Sequence, residues 1–298
     1  MDERELIAKL RPLAGPAGLD LRDDAALLSV PSSKDLVIST DTMVEGVHFP
    51  EGRIGGGFSE RLLRTALSDL AAKAARPIGY SLNLTWPTNR EPRWIDGFVR
   101  GLMDAQQAFD CPLMGGDTTS GGTSLIASAT VFGVVPKGRM VTRDGAKPGD
   151  RLWHTGTLGR AEHGLQIVMG RLPDMPPNEL MLCESAYLRP EPRLVFRKVL
   201  RRYATACADI SDGVVSEAGH LAAASNVRID LDAQTAKRGR FGDDYELLFT
   251  AKAGQTEELV MVADALGVPI TQCGAVSLGE GVWIDGGRVE PSGYRHTL

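Results

Sequence analysis

Cysteine and aromatic side chains are scarce in this chain, charge of one sign never runs in a block, and no long apolar stretch occurs. The four cysteines, Cys111, Cys183, Cys207 and Cys273, form no C-x-x-C pair and have no neighbouring histidine. That spacing offers neither a structural zinc site nor a disulfide framework, and it suits a reducing compartment. Aromatics make up 6% of the residues, too few for platforms that stack single-stranded bases. The 33 basic and 38 acidic residues leave a formal net charge of −5, without the basic patch that nucleic-acid binding needs. The longest near-apolar stretch, 125–135, is interrupted by Ser128 and Thr130 and is too short to cross a bilayer. The first residues, Met1-Asp2-Glu3-Arg4-Glu5, are acidic and carry no apolar signal core. These absences point to a soluble cytoplasmic protein with no nucleic-acid or membrane partner.

What is present describes a globular α/β protein. The 298 residues are 43% apolar and 24% charged, and that length is close to where one hydrophobic core splits into two. A β-branched strand over 36–41 is followed by helical spacing of Leu62, Leu63, Ala66, Leu67, Leu70, Ala71 and Ala74, stopped by Pro77. Tyr80, Leu82, Leu84 and Trp86 alternate with polar residues as in a half-buried strand. A helix over 93–109, a glycine-rich turn Gly115-Gly116-Asp117 and a strand over 125–135 come next. The turn sequence Lys147-Pro148-Gly149-Asp150 marks a boundary, giving domains 1–147 and 148–298. The second half predicts strands at 151–154, 227–231, 245–250 and 268–273, and helices at 159–169, 214–224 and 257–266. A proline-rich loop at 172–178 and a hairpin at 284–289 complete it. The mixture gives an α/β (α+β) class with two domains.

Acidic residues recur at the ends of elements, beside glycine, serine or threonine. They are Asp23-Asp24, Asp41, Asp69, Asp117, Asp209, Asp212 and Asp243-Asp244. Turn and N-cap preferences explain any one of them, and Asp209 or Ser211 suffices to cap the 214–224 helix. Asp69 is different, because it shares the edge of its helix's apolar stripe, where a carboxylate needs a partner, a proton or a metal. Together such carboxylates are hard oxygen ligands suited to Mg²⁺, which in turn suggests phosphate substrates. The glycine spacing over 116–123 is that of a P-loop, but Gly122 stands in place of its lysine. Thr155-Gly156-Thr157-Leu158-Gly159 ahead of a helix is a weak anion-binding signal. Of the histidines, His154 and His220 read as packed or surface residues, whereas His48 ends an unusually polar run. Arg143, before Asp144-Gly145, is either a solvated turn residue or a phosphate fork.

The run Ser39-Thr40-Asp41-Thr42-Met43-Val44-Glu45-Gly46-Val47-His48-Phe49 closely resembles the S-T-D-T-L-V-E-G-V-H-F segment of thiamine-monophosphate kinases. Other clusters follow in that family's order: Arg22-Asp23-Asp24-Ala25-Ala26, Leu67-Ser68-Asp69-Leu70-Ala71-Ala72, Gly115-Gly116-Asp117-Thr118-Thr119 and Arg143-Asp144-Gly145-Ala146. Arg189-Pro190-Glu191-Pro192-Arg193 and Asp209-Ile210-Ser211-Asp212-Gly213 come next, and Phe241-Gly242-Asp243-Asp244-Tyr245-Glu246-Leu247 corresponds to G-G-E-D-Y-E-L. The likeness covers nearly the whole chain. Aminoimidazole ribonucleotide synthetase and selenophosphate synthetase share the fold, but the 40–49 run is worded as in the thiamine enzymes.

The resemblance implies the two-domain aminoimidazole ribonucleotide synthetase-like fold, its N-terminal sheet pairing across a homodimer and its C-terminal domain completing the active site. It implies ATP-dependent phosphorylation of thiamine monophosphate to thiamine diphosphate by direct in-line transfer, with no general base. Carried over, Asp24, Ser39, Thr40, Asp41, Asp69, Asp117, Asp209 and Asp212 hold several Mg²⁺ ions. Gly116, Asp117, Arg143 and Ser211 contact ATP, and His48 and Asp243 lie at the thiamine phosphate. The sequence departs from the family's pattern at Arg22, at Lys73-Ala74, at Phe241 and Asp243, and at Pro291, where an aromatic beside the thiamine is usual. Two competing readings follow: a related ATP-dependent enzyme acting on another acceptor, and a non-catalytic nucleotide or thiamine-phosphate binder.

Overall fold

A computed structural model describes residues 3–53, 55–88, 91, 93–291 and 293. Ser292, Tyr294 and His296 lie outside the described residues. The chain divides into two compact units, Met1–Leu70 with Arg76–Gly138, and Ala71–Ala75 with Arg139–Leu298. The division thus falls before the Lys147-Pro148 turn. The residues between belong with the second unit because Cys207 N donates to Thr142 O and Val141 N to Lys73 O.

The first unit runs α1 (Glu3–Leu10), β1 (Lys34–Val44), α2 (Gly56–Ala72), β2 (Arg76–Trp86), α3 (Arg93–Phe109), β3 (Leu113–Ser120) and β4 (Ile126–Pro136). Among the described residues its strands form one sheet in the order β1-β4-β2-β3, with β2 and β3 parallel and the other pairs antiparallel. Strand alternation gives this sheet two unlike faces. Val37 and Met43 of β1 are buried, whereas Leu36, Ile38, Thr40 and Thr42 are exposed. On α2 the residues Leu62, Leu63, Ala66, Leu67 and Leu70 are fully buried, each leucine contributing about 1.5–3 kcal/mol relative to exposure. Helices α2 and α3 meet through glycine, since a Cβ on Gly101 would lie 2.0 Å from Gly56 O. Two departures from the sequence reading matter for function. Strand β1 continues through Thr42, Met43 and Val44, because an edge strand with one open face accommodates a polar run. Gly115-Gly116-Asp117 is not a turn but the middle of β3, and a Cβ on Gly116 would lie 1.8 Å from Leu82 O on the neighbouring strand.

The second unit contains β5 (Asp150–Thr155), α4 (Arg160–Val168), α5 (Pro177–Leu188), α6 (Arg197–Tyr203), β6 (Ala204–Asp209), α7 (Val214–Ser225), β7 (Arg228–Leu231) and α8 (Ala233–Arg238). It continues with β8 (Leu247–Lys252), α9 (Thr256–Ala265), β9 (Ile270–Ser277), β10 (Gly281–Ile284) and β11 (Gly287–Val289). Its sheet has the order β11-β10-β7-β9-β5-β8-β6. Leu221, Ile229, Ile210 and Val282 are among the fully buried residues of its core. The hairpin expected at 284–289 is β10 and β11, turned by Asp285 and Gly286, both at positive φ. Helix α5 was hidden from the sequence by its prolines, of which Pro177 occupies the first turn, where no N–H is needed. All four cysteines are free and buried. Among the described residues no helix is long and apolar enough to cross a membrane.

Candidate active site

In the first unit the period of β1 sorts the predicted ligands. Ser39 and Asp41 share the face turned towards α2, where Ser39 Oγ donates to Asp69 Oδ2 at 2.5 Å. Burial and the negative charge of Asp69 push the Asp41 carboxyl up to about 6, against a Thr65 hydrogen bond and the Arg61 charge that pull it down. Thr40 is not brought into this group. Its side chain points to the opposite face, where Thr40 Oγ1 and Thr130 Oγ1 share a 2.9 Å hydrogen bond. Asp24 and Asp117 are exposed and line a cavity of about 560 Å³ together with Gly116, Asn83, Leu21 and Met114. That volume is of the size that takes a small organic ligand. Asp117 is held in register by its own N–H, which donates to Asn83 Oδ1 at 3.2 Å. Asp24 follows three residues in left-handed backbone, Leu19, Asp20 and Leu21. Arg22 itself has φ −112°, so a side chain there brings no strain.

His48 ends the β1 motif, its Nδ1 accepting from Val44 N at 3.0 Å. The same motif contains a residue the sequence reading passed over. Glu45 is buried, and its two oxygens accept from Gly52 N at 2.7 Å and Leu125 N at 3.0 Å. Glu45 therefore pins the turn that carries His48. Glutamate inside an otherwise strand-like run was the available signal.

In the second unit the ends of β6 and β8 bring two quoted motifs together. Asp243 N donates to Ser211 O at 2.8 Å, Tyr245 N to Ile210 O at 2.9 Å and Ile210 N to Glu246 O at 2.8 Å. The 242–246 segment needs unusual backbone to do this, with positive φ at Gly242, Asp243 and Tyr245. A Cβ on Gly242 would lie 2.2 Å from Ser211 O. Asp209 is buried at the end of β6, and Ser211 and Asp212 are half-buried beyond it. Neither Asp209 nor Ser211 caps α7, whose N-cap is Gly213 with no side-chain bond. Phe241 is exposed, with the Arg240 guanidinium 4.4 Å above its ring.

Two acids here belong to the architecture. Arg193 Nε donates to Glu246 Oε2 at 2.6 Å, Arg193 Nη2 donates to Oε1, and Thr155 Oγ1 adds a 2.6 Å bond. Asp244 closes the N-terminus of α4, accepting from Gly159 N at 2.9 and 3.0 Å. Burial pushes its carboxyl up to about 7, aided by the charges of Glu246 and Asp243 and opposed by the amides of Gly159 and Ala161. The helix end that the sequence offered as an anion site is therefore already filled by the protein's own carboxylate. Arg143 is exposed on a turn held to α7, where Ser225 Oγ donates to Arg143 O at 3.2 Å.

The donor set suits a hard divalent cation. Asp41 and Asp69 are like charges facing one another beside a hydroxyl, and only a proton or a cation relieves that repulsion. Among the described residues no three His, Cys, Asp or Glu side chains stand together as a metal cage. One or two carboxylates completed by substrate phosphates is the usual way to bind Mg²⁺, so the residues fit that ion.

A family model described as AIR synthase related protein, N-terminal domain, matches residues 22–135. The thiamine-monophosphate kinase of Caulobacter vibrioides is 38% identical to this chain, over 96% of this chain and 88% of that protein. A crystal structure of thiamine-monophosphate kinase from Stenotrophomonas maltophilia K279a is similar at a TM-score of 0.84 and 35% identity, covering 96% of both chains. The structure of AaThiL complexed with AMPPCP and TMP is similar at a TM-score of 0.80 and 30% identity, covering 92% of this chain and 91% of that one.

Proposed function

The chain belongs to the thiamine-monophosphate kinase family, and we infer that it makes thiamine diphosphate and ADP from thiamine monophosphate and ATP. The bond from the γ-phosphorus to the β-γ bridging oxygen breaks, and a new one forms to a terminal phosphate oxygen of the acceptor. That oxygen is already anionic, so no side chain has to remove a proton. The obstacle is charge, since two unit charges 4 Å apart repel by about 4 kcal/mol at an effective dielectric near 20. Catalysis then consists of positioning and electrostatics.

In this reading the first-unit cavity takes the nucleotide, with the Gly116 backbone and Asp117 at its wall. By the family resemblance Arg143 and Ser211 are assigned to ATP, and His48 and Asp243 to the thiamine phosphate. Asp24, Ser39, Asp41, Asp69, Asp117, Asp209 and Asp212 would hold Mg²⁺. Bound there, the ion supplies the positive charge that lets two phosphates approach and stabilises the transferring group. The observation that carries the reading is the repelling Asp41–Asp69 pair, in a chain whose relatives are named for this reaction. The open sheet face, with Leu36 and Ile38 exposed, supports pairing with a second copy in a homodimer, which Ile38→Lys should make monomeric in sedimentation equilibrium. Four free, buried cysteines support residence in the cytoplasm.

Incubating the purified chain with ATP, Mg²⁺ and thiamine monophosphate should release ADP and thiamine diphosphate together; absence of the diphosphate overturns the assignment. Pro291 favours one second reading, a different phosphorylated acceptor. It packs against α7 where a Cβ on Gly219 would meet its Cγ at 2.6 Å, and it offers no aromatic face. ADP release with another acceptor but not with thiamine monophosphate would select that reading. Nucleotide binding without any transfer would select the non-catalytic one.

A further inference from the structure

Helix α7 holds the Arg143 turn from two points. Ser225 Oγ accepts from Gly145 N at 3.1 Å and Ala146 N at 3.2 Å while donating to Arg143 O. Those three bonds use the whole capacity of a hydroxyl, so the backbone of the turn is fixed. Two turns earlier on the helix, Glu217 is 1% exposed. Its Oε2 stands 3.1 Å from His220 Nδ1 and 3.8 Å from Arg143 Nη2. Residues 217 and 220, three apart, are neighbours on the helix surface.

A buried carboxylate is costly unless a cation faces it. Here the Arg143 guanidinium and the His220 ring reach it from the solvent side, since each residue is about half exposed. Glu217 sits in the first turn of α7, with its N–H donating to Gly213 O, directly after the Ser211-Asp212 turn. The Arg143 guanidinium therefore faces a carboxylate on the first turn of the helix that follows the Ser211-Asp212 turn. Without an anchor, a half-exposed arginine samples many rotamers and loses entropy when it grips a phosphate.

We infer that Glu217 is a positioning residue, which holds the Arg143 guanidinium in place to receive the phosphate groups of the nucleotide. The inference rests on the role given to Arg143 above. Glu217→Gln keeps the shape and removes the charge, so nucleotide affinity should suffer and acceptor affinity should not. In the purified full chain we expect Glu217→Gln to raise the KM for ATP, and the Kd for a non-hydrolysable ATP analogue, by about tenfold. The KM for thiamine monophosphate should stay within about twofold on the same coupling argument. Arg143→Gln should do the same, and the double variant should be no worse than Arg143→Gln alone. Glu217→Asp, which keeps the charge, should recover part of the affinity.

Wild-type nucleotide affinity in Glu217→Gln, or a double variant that multiplies the two losses, would overturn the inference. If Glu217→Gln does not fold, Glu217→Asp decides: a melting temperature like the wild type with a raised KM for ATP supports the role, and an unchanged KM overturns it. A chain that binds the analogue but never phosphorylates thiamine monophosphate would sink the proposed reaction, while the binding series would still read the coupling of Glu217 to Arg143.

Discussion

Glu246 in one unit and Asp41 in the other are both acids set into folded structure, and their neighbours give them opposite meanings. Glu246 meets a guanidinium and a hydroxyl, so its charge is answered from within the chain. Asp41 meets Asp69, and its carboxyl is pushed up to about 6 by burial first and then by that second acid. The first arrangement closes on itself and holds the 155–156 turn in place, since a Cβ on Gly156 would lie 1.8 Å from Glu246 Oε1. The second keeps two like charges together, and the Arg61 charge and the Thr65 hydrogen bond oppose the shift without cancelling it. An acid's neighbour, more than its depth, decides whether its charge is answered or opposed.

Asp41→Asn tests the open end of that contrast and has the largest expected effect. It deletes one of two repelling charges, so the melting temperature should hold or rise. Turnover of thiamine monophosphate with ATP and Mg²⁺ should fall by about 10³-fold, or about 4 kcal/mol of transition-state stabilisation. Parallel losses in a thermal melt and in the steady-state rate would instead place Asp41 with the structural acids. Arg193→Ala tests the closed end. It strands the Glu246 carboxylate, and we expect about 3 kcal/mol of lost stability, the low end for a broken buried pair because Thr155 still donates. A urea midpoint corresponding to less than about 1 kcal/mol would show a pair no stronger than an exposed one.

Asp244 stands between the two kinds, taking backbone amides on one side and the charges of Glu246 and Asp243 on the other. With its carboxyl pushed up to about 7, the folded protein holds this proton more tightly than the unfolded chain does. Its contribution to stability is therefore complete below about pH 4 and is lost as pH rises through about 7. Asp244→Asn should flatten that part of the melting-temperature profile and sit a few degrees above the wild type on the alkaline side. A profile with the wild-type slope would mean that the Gly159 and Ala161 amides keep the acid ionised throughout.

Periodicity made the first unit the more legible one. The α2 stripe marked Asp69 as an acid at the edge of a core, and Ser39 with Asp41 falls on one strand face by alternation. The same alternation excludes the Thr40 side chain, a signal present in the sequence that the motif's wording overrode. Glycine beside Asp117 reads as a turn signal in the sequence. In β3, Gly116 instead lets two backbones approach. In the second unit the Arg193–Glu246 clamp joins residues 53 apart in sequence, and no local pattern announces such a pairing. The short α6 and α8 escape the sequence for a related reason, since helices of under two turns are held by packing more than by propensity. The departures at Arg22 and Lys73 are accommodated locally: Arg22 has an ordinary negative φ, and Lys73 Nζ donates to Cys207 O at 3.0 Å.

Backbone strain offers the finest test of the same contrast. Asp110 and Asp243 both adopt left-handed backbone, at φ +50° and +62°. Asp110 is exposed just beyond α3, where Cys111 N donates to Gln106 O at 3.1 Å and closes the helix end. Glycine is the usual residue for that position because it has no Cβ to clash. Asp110→Gly should therefore gain about 0.5–1 kcal/mol of stability, the strain relieved less the extra entropy of the unfolded chain. It should leave turnover untouched, since the Asp110 carboxylate has no part in the proposed site. Asp243→Gly relieves the same kind of strain but also removes a carboxylate from the loop zipped to Ser211, so its KM for thiamine monophosphate should rise while its melting temperature does not fall. If both variants behave alike, in stability and in kinetics, the left-handed turn at Asp243 serves the fold and not the substrate.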